Sequence, residues 1–261
     1  MMLKRLFPLC VYVVTLAAFD ATSLSAAIVP EPATVTLVGP HAQQQLIVGE
    51  TVDGLDVDLT RKVEFVSDNT AVATVDAKGL VSPVSNGKAV ILIRRSADEA
   101  RVTVEVKDGK KQQDVDFQND IMPLLTAGGC NSGPCHGKAR GQNGFQLSLL
   151  GFDANFDYEA LAKEARGRRV FLPSPEESLL LLKPAGKMPH GGGIRLAATG
   201  PEYETLLRWI NAGMLRQVEN APELTGISVT PTERIMGREA EQQLIVTAHF
   251  SDGSARDVTR Q

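Results

Sequence analysis

The residues with the most chemistry in their types and spacing are Cys130-Asn131-Ser132-Gly133-Pro134-Cys135-His136. In c-type haem attachment two thiols form thioether bonds to the porphyrin, and a His directly after the second Cys is held under the iron as an axial ligand. The adjacency of Cys135 and His136 meets that requirement. The usual spacing leaves two residues between the cysteines and this chain has four, so the loop must bulge; Ser132, Gly133 and Pro134 are turn formers that permit it. Two other chemistries remain open on the same residues. A Cys130–Cys135 disulfide would close a small surface loop with His136 incidental. A zinc site is weaker, because two Cys and one adjacent His leave a tetrahedral shell incomplete.

A haem also needs an apolar crevice, a second axial ligand and donors for its propionates. Phe145, Leu147, Leu149, Leu150 and Phe152 follow the cysteines and are expected to wall the ring. Lys187-Met188-Pro189-His190 supplies two candidates for the sixth ligand. Met188 is preferred, because Met followed by Pro before a terminal helix resembles the pattern of many small cytochromes c; His190 is the alternative, its imidazole being the stronger general metal ligand and Gly191, Gly192 and Gly193 allowing close backbone approach. Arg168, Arg169 and Arg195 are candidate propionate partners. No Ser, His and carboxylate grouping can be placed: two of the four His residues, His41 and His249, fall in β-regions.

The elements that must position these groups are helical. Phe117, Ile121, Leu124 and Leu125 recur at helical spacing, with Asp116 or Asp120 as cap and Pro123 in a first turn. A second helix starts near Pro201, turns Tyr203, Leu206, Leu207 and Ile210 to one face with Trp209 beside it, and ends at Gly213. Residues 108–114 form a polar linker before this segment.

On either side the period changes to two. Gln45–Val48, Val63–Val66, Ala71–Val75, Ala89–Ile93 and Val102–Val106 read as strands, with turns at Asp53-Gly54, Lys78-Gly79 and Asn86-Gly87, which predicts a β-sandwich over residues 28–107. Near the end of the chain, Gln242-Gln243-Leu244-Ile245-Val246, Asp252-Gly253 and Asp257-Val258-Thr259-Arg260 restate Gln44–Val48, Asp53-Gly54 and Asp58-Leu59-Thr60-Arg61. This second copy, residues 222–261, lacks most of the strands of the first and is expected to be a partial sandwich.

The 261 residues are 43% hydrophobic with a net charge of −4, which suits packed domains and excludes the basic stripe that nucleic-acid binding requires. Lys4 and Arg5, an apolar run from Leu6 to Phe19 and Ser25-Ala26-Ala27 read as an export signal over residues 1–27. The run is shorter than the roughly 20 residues of a spanning helix. No membrane span is expected after cleavage. Cys10 leaves with the signal, so Cys130 and Cys135 remain as a pair in an oxidising compartment.

Two resemblances extend this reading. The β-regions, through motifs such as Asp68-Asn69-Thr70-Ala71-Val72-Ala73 and Gly79-Leu80-Val81, resemble group-two bacterial immunoglobulin-like domains of invasins and intimins. Residues 115–218, with Asp120-Ile121-Met122-Pro123-Leu124-Leu125, Cys-His-Gly, Lys187-Met188-Pro189 and Leu206-Leu207-Arg208-Trp209-Ile210-Asn211-Ala212-Gly213, resemble the cytochrome c-like domain of large exported planctomycete-type proteins. The resemblance implies a multidomain protein: an all-β immunoglobulin-like sandwich, a mainly α cytochrome c-like domain, and a partial second sandwich. It implies one covalent haem c on Cys130 and Cys135 with His136 as proximal ligand, electron transfer at the periplasm or cell surface, a redox partner protein, and a surface partner for the immunoglobulin-like domains. The alternatives are a non-redox surface or adhesion protein with a Cys130–Cys135 disulfide loop, and the electron-delivering N-terminal part of a larger enzyme.

Overall fold

The structure is a computed structural model that describes residues 27–52 and 54–261. The expected export signal lies outside the described residues apart from Ala27.

Among the described residues ten strands precede the cysteine segment: β1 (Val29–Glu31), β2 (Thr34–Val38), β3 (Gln44–Gln45), β4 (Ile47–Val52), β5 (Leu55–Asp58), β6 (Glu64–Ser67), β7 (Ala73–Val75), β8 (Leu80–Pro83), β9 (Gly87–Arg95) and β10 (Asp98–Lys107). One layer is the four-stranded sheet β2-β10-β9-β6, in which β2 and β10 run parallel. The other is made of two short sheets, β1-β4-β5 and β3-β8-β7, joined where the chain passes Leu46 between β3 and β4. Strand alternation explains the packing. On β9 Ala89, Ile91 and Ile93 point inward, and on β10 Val102, Val104 and Val106 do so, meeting Leu46, Val48, Leu59 and Val81 of the facing layer in one core. Each such fully buried aliphatic side chain contributes about 1.5–3 kcal/mol.

The central segment differs from the mainly α expectation. A π-helical turn, Phe117–Ile121, runs into α1 (Met122–Ala127), and then come α2 (Ala154–Ala162), α3 (Leu179–Leu182) and α4 (Pro201–Asn211). These α-helices are short, α4 being the longest at eleven residues, and turns and loops make up most of what lies between them. The physical reason is composition: Gly128, Gly129, Gly133, Gly137, Gly141 and Gly144, with Pro134, interrupt the chain between α1 and α2 at spacings too close for a helix to propagate. The short helices nevertheless enclose a single core. Trp209 and Phe117 lie 5.4 Å apart between ring centroids, Tyr158 meets Phe117 edge-on at 5.3 Å, and Leu125, Leu161, Leu181, Leu206 and Ile210 fill the space around them. The polar tips are satisfied: Trp209 Nε1 donates to the Leu215 carbonyl at 2.8 Å and Tyr158 Oη to that of Met214 at 2.9 Å.

The second copy of the repeat forms a three-stranded antiparallel sheet of β11 (Leu224–Thr230), β12 (Ile245–Phe250) and β13 (Ala255–Asp257), the counterpart of β1-β4-β5. The two copies clasp each other reciprocally. Asp257 accepts from the Gln45 N–H and, at 3.2 Å, from Gln44 Nε2; Asp58 accepts from the Gln243 N–H and, at 3.2 Å, from Gln242 Nε2. The same residues of the motif thus face each other across a local pseudo-two-fold relation. The 108–114 stretch touches both neighbours: the Gly109 N–H donates to Asn86 Oδ1, and Arg208 donates to Gln112 Oε1 and the Gln113 carbonyl. Among the described residues no helix is long and apolar enough to cross a membrane.

Candidate haem-attachment site

The site is built on the C-terminal end of α1. Asp116 caps the entry to this helical run by accepting from the Asn119 N–H at 2.9 Å, and Pro123 occupies its first turn, where no amide hydrogen is needed. The chain leaves the helix through Gly128 and Gly129, and the Cys130 N–H returns to the Leu125 carbonyl at 2.8 Å. The six residues that follow fold onto themselves. The Cys135 and Gly137 N–H groups both donate to the Ser132 carbonyl at 3.0 Å, and the His136 N–H donates to the Cys130 carbonyl at 3.0 Å. That last bond brings the two ends of the loop together, so the four intervening residues are accommodated by a closed turn.

Gly137 is the residue this closure depends on. A Cβ there would lie 1.9 Å from the Asn131 carbonyl oxygen, which no side chain tolerates. Asn131 is fully buried; its Nδ2 donates to Thr126 Oγ1 at 2.8 Å while its Oδ1 has no hydrogen-bond partner. A buried acceptor left without a partner costs about 1–3 kcal/mol.

Cys130 and Cys135 are both half-buried and both carry free thiols. Burial pushes the Cys130 thiol up to about 11, with the neighbouring Cys135 adding to the effect and Arg195 only partly opposing it. A thiol so placed stays protonated at neutral pH and is a poor nucleophile. Among the described residues no group of three or more His, Cys, Asp or Glu side chains is gathered closely enough to hold a metal ion.

His136 is fixed from two directions. Its Nδ1 lies 3.0 Å from the Phe145 carbonyl oxygen, and its ring packs on the Phe145 ring at 4.4 Å. Phe145 is in turn backed by the Arg169 guanidinium, 4.3 Å from the ring centroid. A carbonyl can only accept, so Nδ1 carries the hydrogen and the Nε2 lone pair is left for a ligand. Burial, opposed in part by the Phe145 carbonyl, holds the imidazole below its ordinary value. Farther along the chain, His190 is anchored in the same manner, its Nδ1 2.9 Å from the Gly193 carbonyl oxygen. The two rings are within 11° of parallel with centroids 6.4 Å apart.

Met188 lies on the wall of a shallow pocket of about 380 Å³ together with Gly186, His190 and Ile194. It is 39% exposed, and it is His190 whose ring lies opposite His136. Of the residues expected to wall a haem, Leu147 is buried in the central core and Phe145 supports His136 from beneath, whereas Leu149, Leu150 and Phe152 are exposed, Phe152 to 81%. The Leu150 N–H donates to the Asn131 carbonyl, which places this apolar strip beside the cysteine loop. Arg169 is committed to the Ala160 and Gly144 carbonyls and to Phe145, Arg168 is exposed, and Arg195 lies by Cys130 with its Nε on the Gly192 carbonyl at 2.7 Å.

Two supporting groups escaped the sequence reading, Asp157 and the Phe145 carbonyl, while Gly137 entered it only within the Cys-His-Gly motif. Asp157 is fully buried and accepts from both the Ser148 N–H and, at 2.7 Å, its hydroxyl, tying α2 to the segment that follows the cysteine loop. The glycine after Cys135-His136 was the one visible signal. Backbone carbonyls leave none.

Comparison with known proteins gives a family match, a curated relative and a solved structure of low similarity. Ice-binding protein 1 of Shewanella frigidimarina (strain NCIMB 400) is 24% identical over 305 aligned positions, which include 94% of this chain and 34% of that protein, so the chain spans about a third of its relative's length. The structure of domains 5-6 of the S-layer protein SbsC shares 23% identity over 31% of this chain and 43% of that one, with a TM-score of 0.27. Residues 25–115 match the family of group 2 bacterial Ig-like domains, and the two-layer sandwich that begins this chain is a domain of that family.

Proposed function

We propose that this chain is part of an exported, surface-located protein in which bacterial Ig-like domains carry a module for one covalently attached haem, used for electron transfer. Surface location is supported by the group 2 Ig-like domain and by the likeness to an ice-binding protein. The haem reading rests on a single arrangement: two free thiols on a loop closed by the His136-to-Cys130 backbone bond, with the His136 ring locked through Nδ1 so that Nε2 is free to ligate.

The residues present fit the group. Two free thiols are what thioether attachment to a haem would draw on, and none of the loop's other bonds occupies them. Cys130 and Cys135 would hold the macrocycle and His136 the iron; the exposed Leu149, Leu150 and Phe152 offer apolar surface for its edge. Bound there, haem supplies one-electron redox chemistry tuned by its axial ligands and burial. The chain's own contribution is orientation: the Phe145 carbonyl sets the His136 tautomer, Arg169 fixes Phe145, and Arg195 brings a cation to the loop for a propionate.

A second reading, a non-redox surface or adhesion protein with a Cys130–Cys135 disulfide, is favoured by the same Ig-like match and ice-binding relative, neither of which calls for a haem. The test is a haem-stained denaturing gel of protein made in a host with cytochrome c maturation. Thioether-bound haem survives denaturation, so the wild-type band stains, Cys130→Ser stains weakly and the Cys130→Ser, Cys135→Ser variant does not. An unstained wild-type band would leave the disulfide reading.

A further inference from the structure

We infer that His190, and not Met188, would serve with His136 as the second protein ligand of a haem iron. The inference rests on the haem reading above and is carried by the symmetry of the two imidazoles. Both have Nδ1 committed to a backbone carbonyl, Phe145 at 3.0 Å and Gly193 at 2.9 Å, so both present a bare Nε2. A metal–imidazole bond is about 2.0 Å, and a five-membered ring of bonds near 1.33 Å puts its centre about 1.1 Å from each atom. Two imidazoles bound through opposite sides of one metal therefore have centroids about 6.3 Å apart. The observed separation is 6.4 Å with the planes 11° from parallel.

The local backbone is suited to a ligand and not to core packing. His190 sits at the start of Gly191-Gly192-Gly193, of which Gly193 has φ +73°, and the turn closes through the Gly193 N–H on the His190 carbonyl at 3.0 Å. A Cβ on Gly192 would stand 2.9 Å from the His190 ring, so the glycine gives the imidazole its room. The Arg195 Nε bond to the Gly192 carbonyl then ties this turn to the residue that lies beside Cys130. Met188 donates its backbone N–H to the Leu182 carbonyl at 3.2 Å and lines the same shallow pocket as His190, but only the His190 ring is paired with that of His136.

The experiment compares His190→Ala, His190→Met and Met188→Ala in the holoprotein by near-infrared absorption, electron paramagnetic resonance and potentiometry. Bis-His ligation predicts a low-spin oxidised iron without a sulfur-to-iron band. Met188→Ala leaves spectrum and potential unchanged, His190→Ala turns the iron high-spin, and His190→Met raises the potential and introduces the sulfur band. A sulfur band in the wild type that Met188→Ala abolishes and His190→Ala spares would overturn the assignment, as would a low-spin iron indifferent to both. A second arm separates this claim from covalent attachment. Haemin added to the Cys130→Ser, Cys135→Ser variant should give a low-spin complex that His190→Ala loses; haemin that stays high-spin there overturns the ligand pair whatever the thiols do.

Discussion

The Ig-like sandwich and the segment that carries the cysteines bury comparable cores by opposite means. In the sandwich, inward positions recur at every second residue, and neighbours such as Ile91, Ile93, Val102 and Val104 are chemically interchangeable. In the central segment the core is assembled from aromatic residues far apart in sequence, Phe117, Tyr158 and Trp209, and its cysteine loop is shaped by backbone pressed on backbone at Gly137. A pattern-built domain tolerates substitution and serves as a scaffold. A domain built around particular close approaches is specified residue by residue, which is what a cofactor site requires.

The largest test of that contrast is Trp209→Ala. It should cost about 3–5 kcal/mol and lower only the transition of the central segment in a calorimetric scan, leaving that of the sandwich in place. A single transition shifting as a whole would show that the two regions do not unfold separately. Next comes Gly137→Ala, expected to cost about 1–3 kcal/mol through overpacking against Asn131 and to displace His136 while far-ultraviolet circular dichroism stays near wild type. Retention of the wild-type His136 imidazole resonances would contradict it. The smallest effect is Ile91→Val in the sandwich, about 0.5–1.5 kcal/mol, read as a denaturant midpoint that moves with no change of slope.

Legibility in the sequence follows the same division. The alternating runs at β6, β7, β9 and β10 are found where the pattern puts them, whereas β5 is missed because Leu55, Asp56 and Val57 are all exposed and no buried face marks it. On α4 the expected face is right at Tyr203, Leu206 and Ile210, but Trp209 is fully buried and Leu207 only packs at the margin, because Phe117 and Tyr158 approach from the Trp209 side. The repeat of Gln-Gln and Asp is plain in the sequence; that Asp58 and Asp257 each reach the other copy's glutamines is set by tertiary arrangement. Of the candidate site, Cys130, Cys135, His136, Met188 and His190 can be named from residue type and spacing. The Phe145 and Gly193 carbonyls that orient the two imidazoles could not, since every residue has a carbonyl and only the fold selects one.

The central claim, that Cys130 and Cys135 carry a haem, is tested most directly by the intact mass of the denatured, unreduced protein from a host that matures c-type cytochromes. The account predicts a polypeptide heavier by one haem, with the added mass retained through denaturation and absent from the Cys130→Ser, Cys135→Ser variant. A mass equal to the bare polypeptide with its two thiols joined as a disulfide would contradict it.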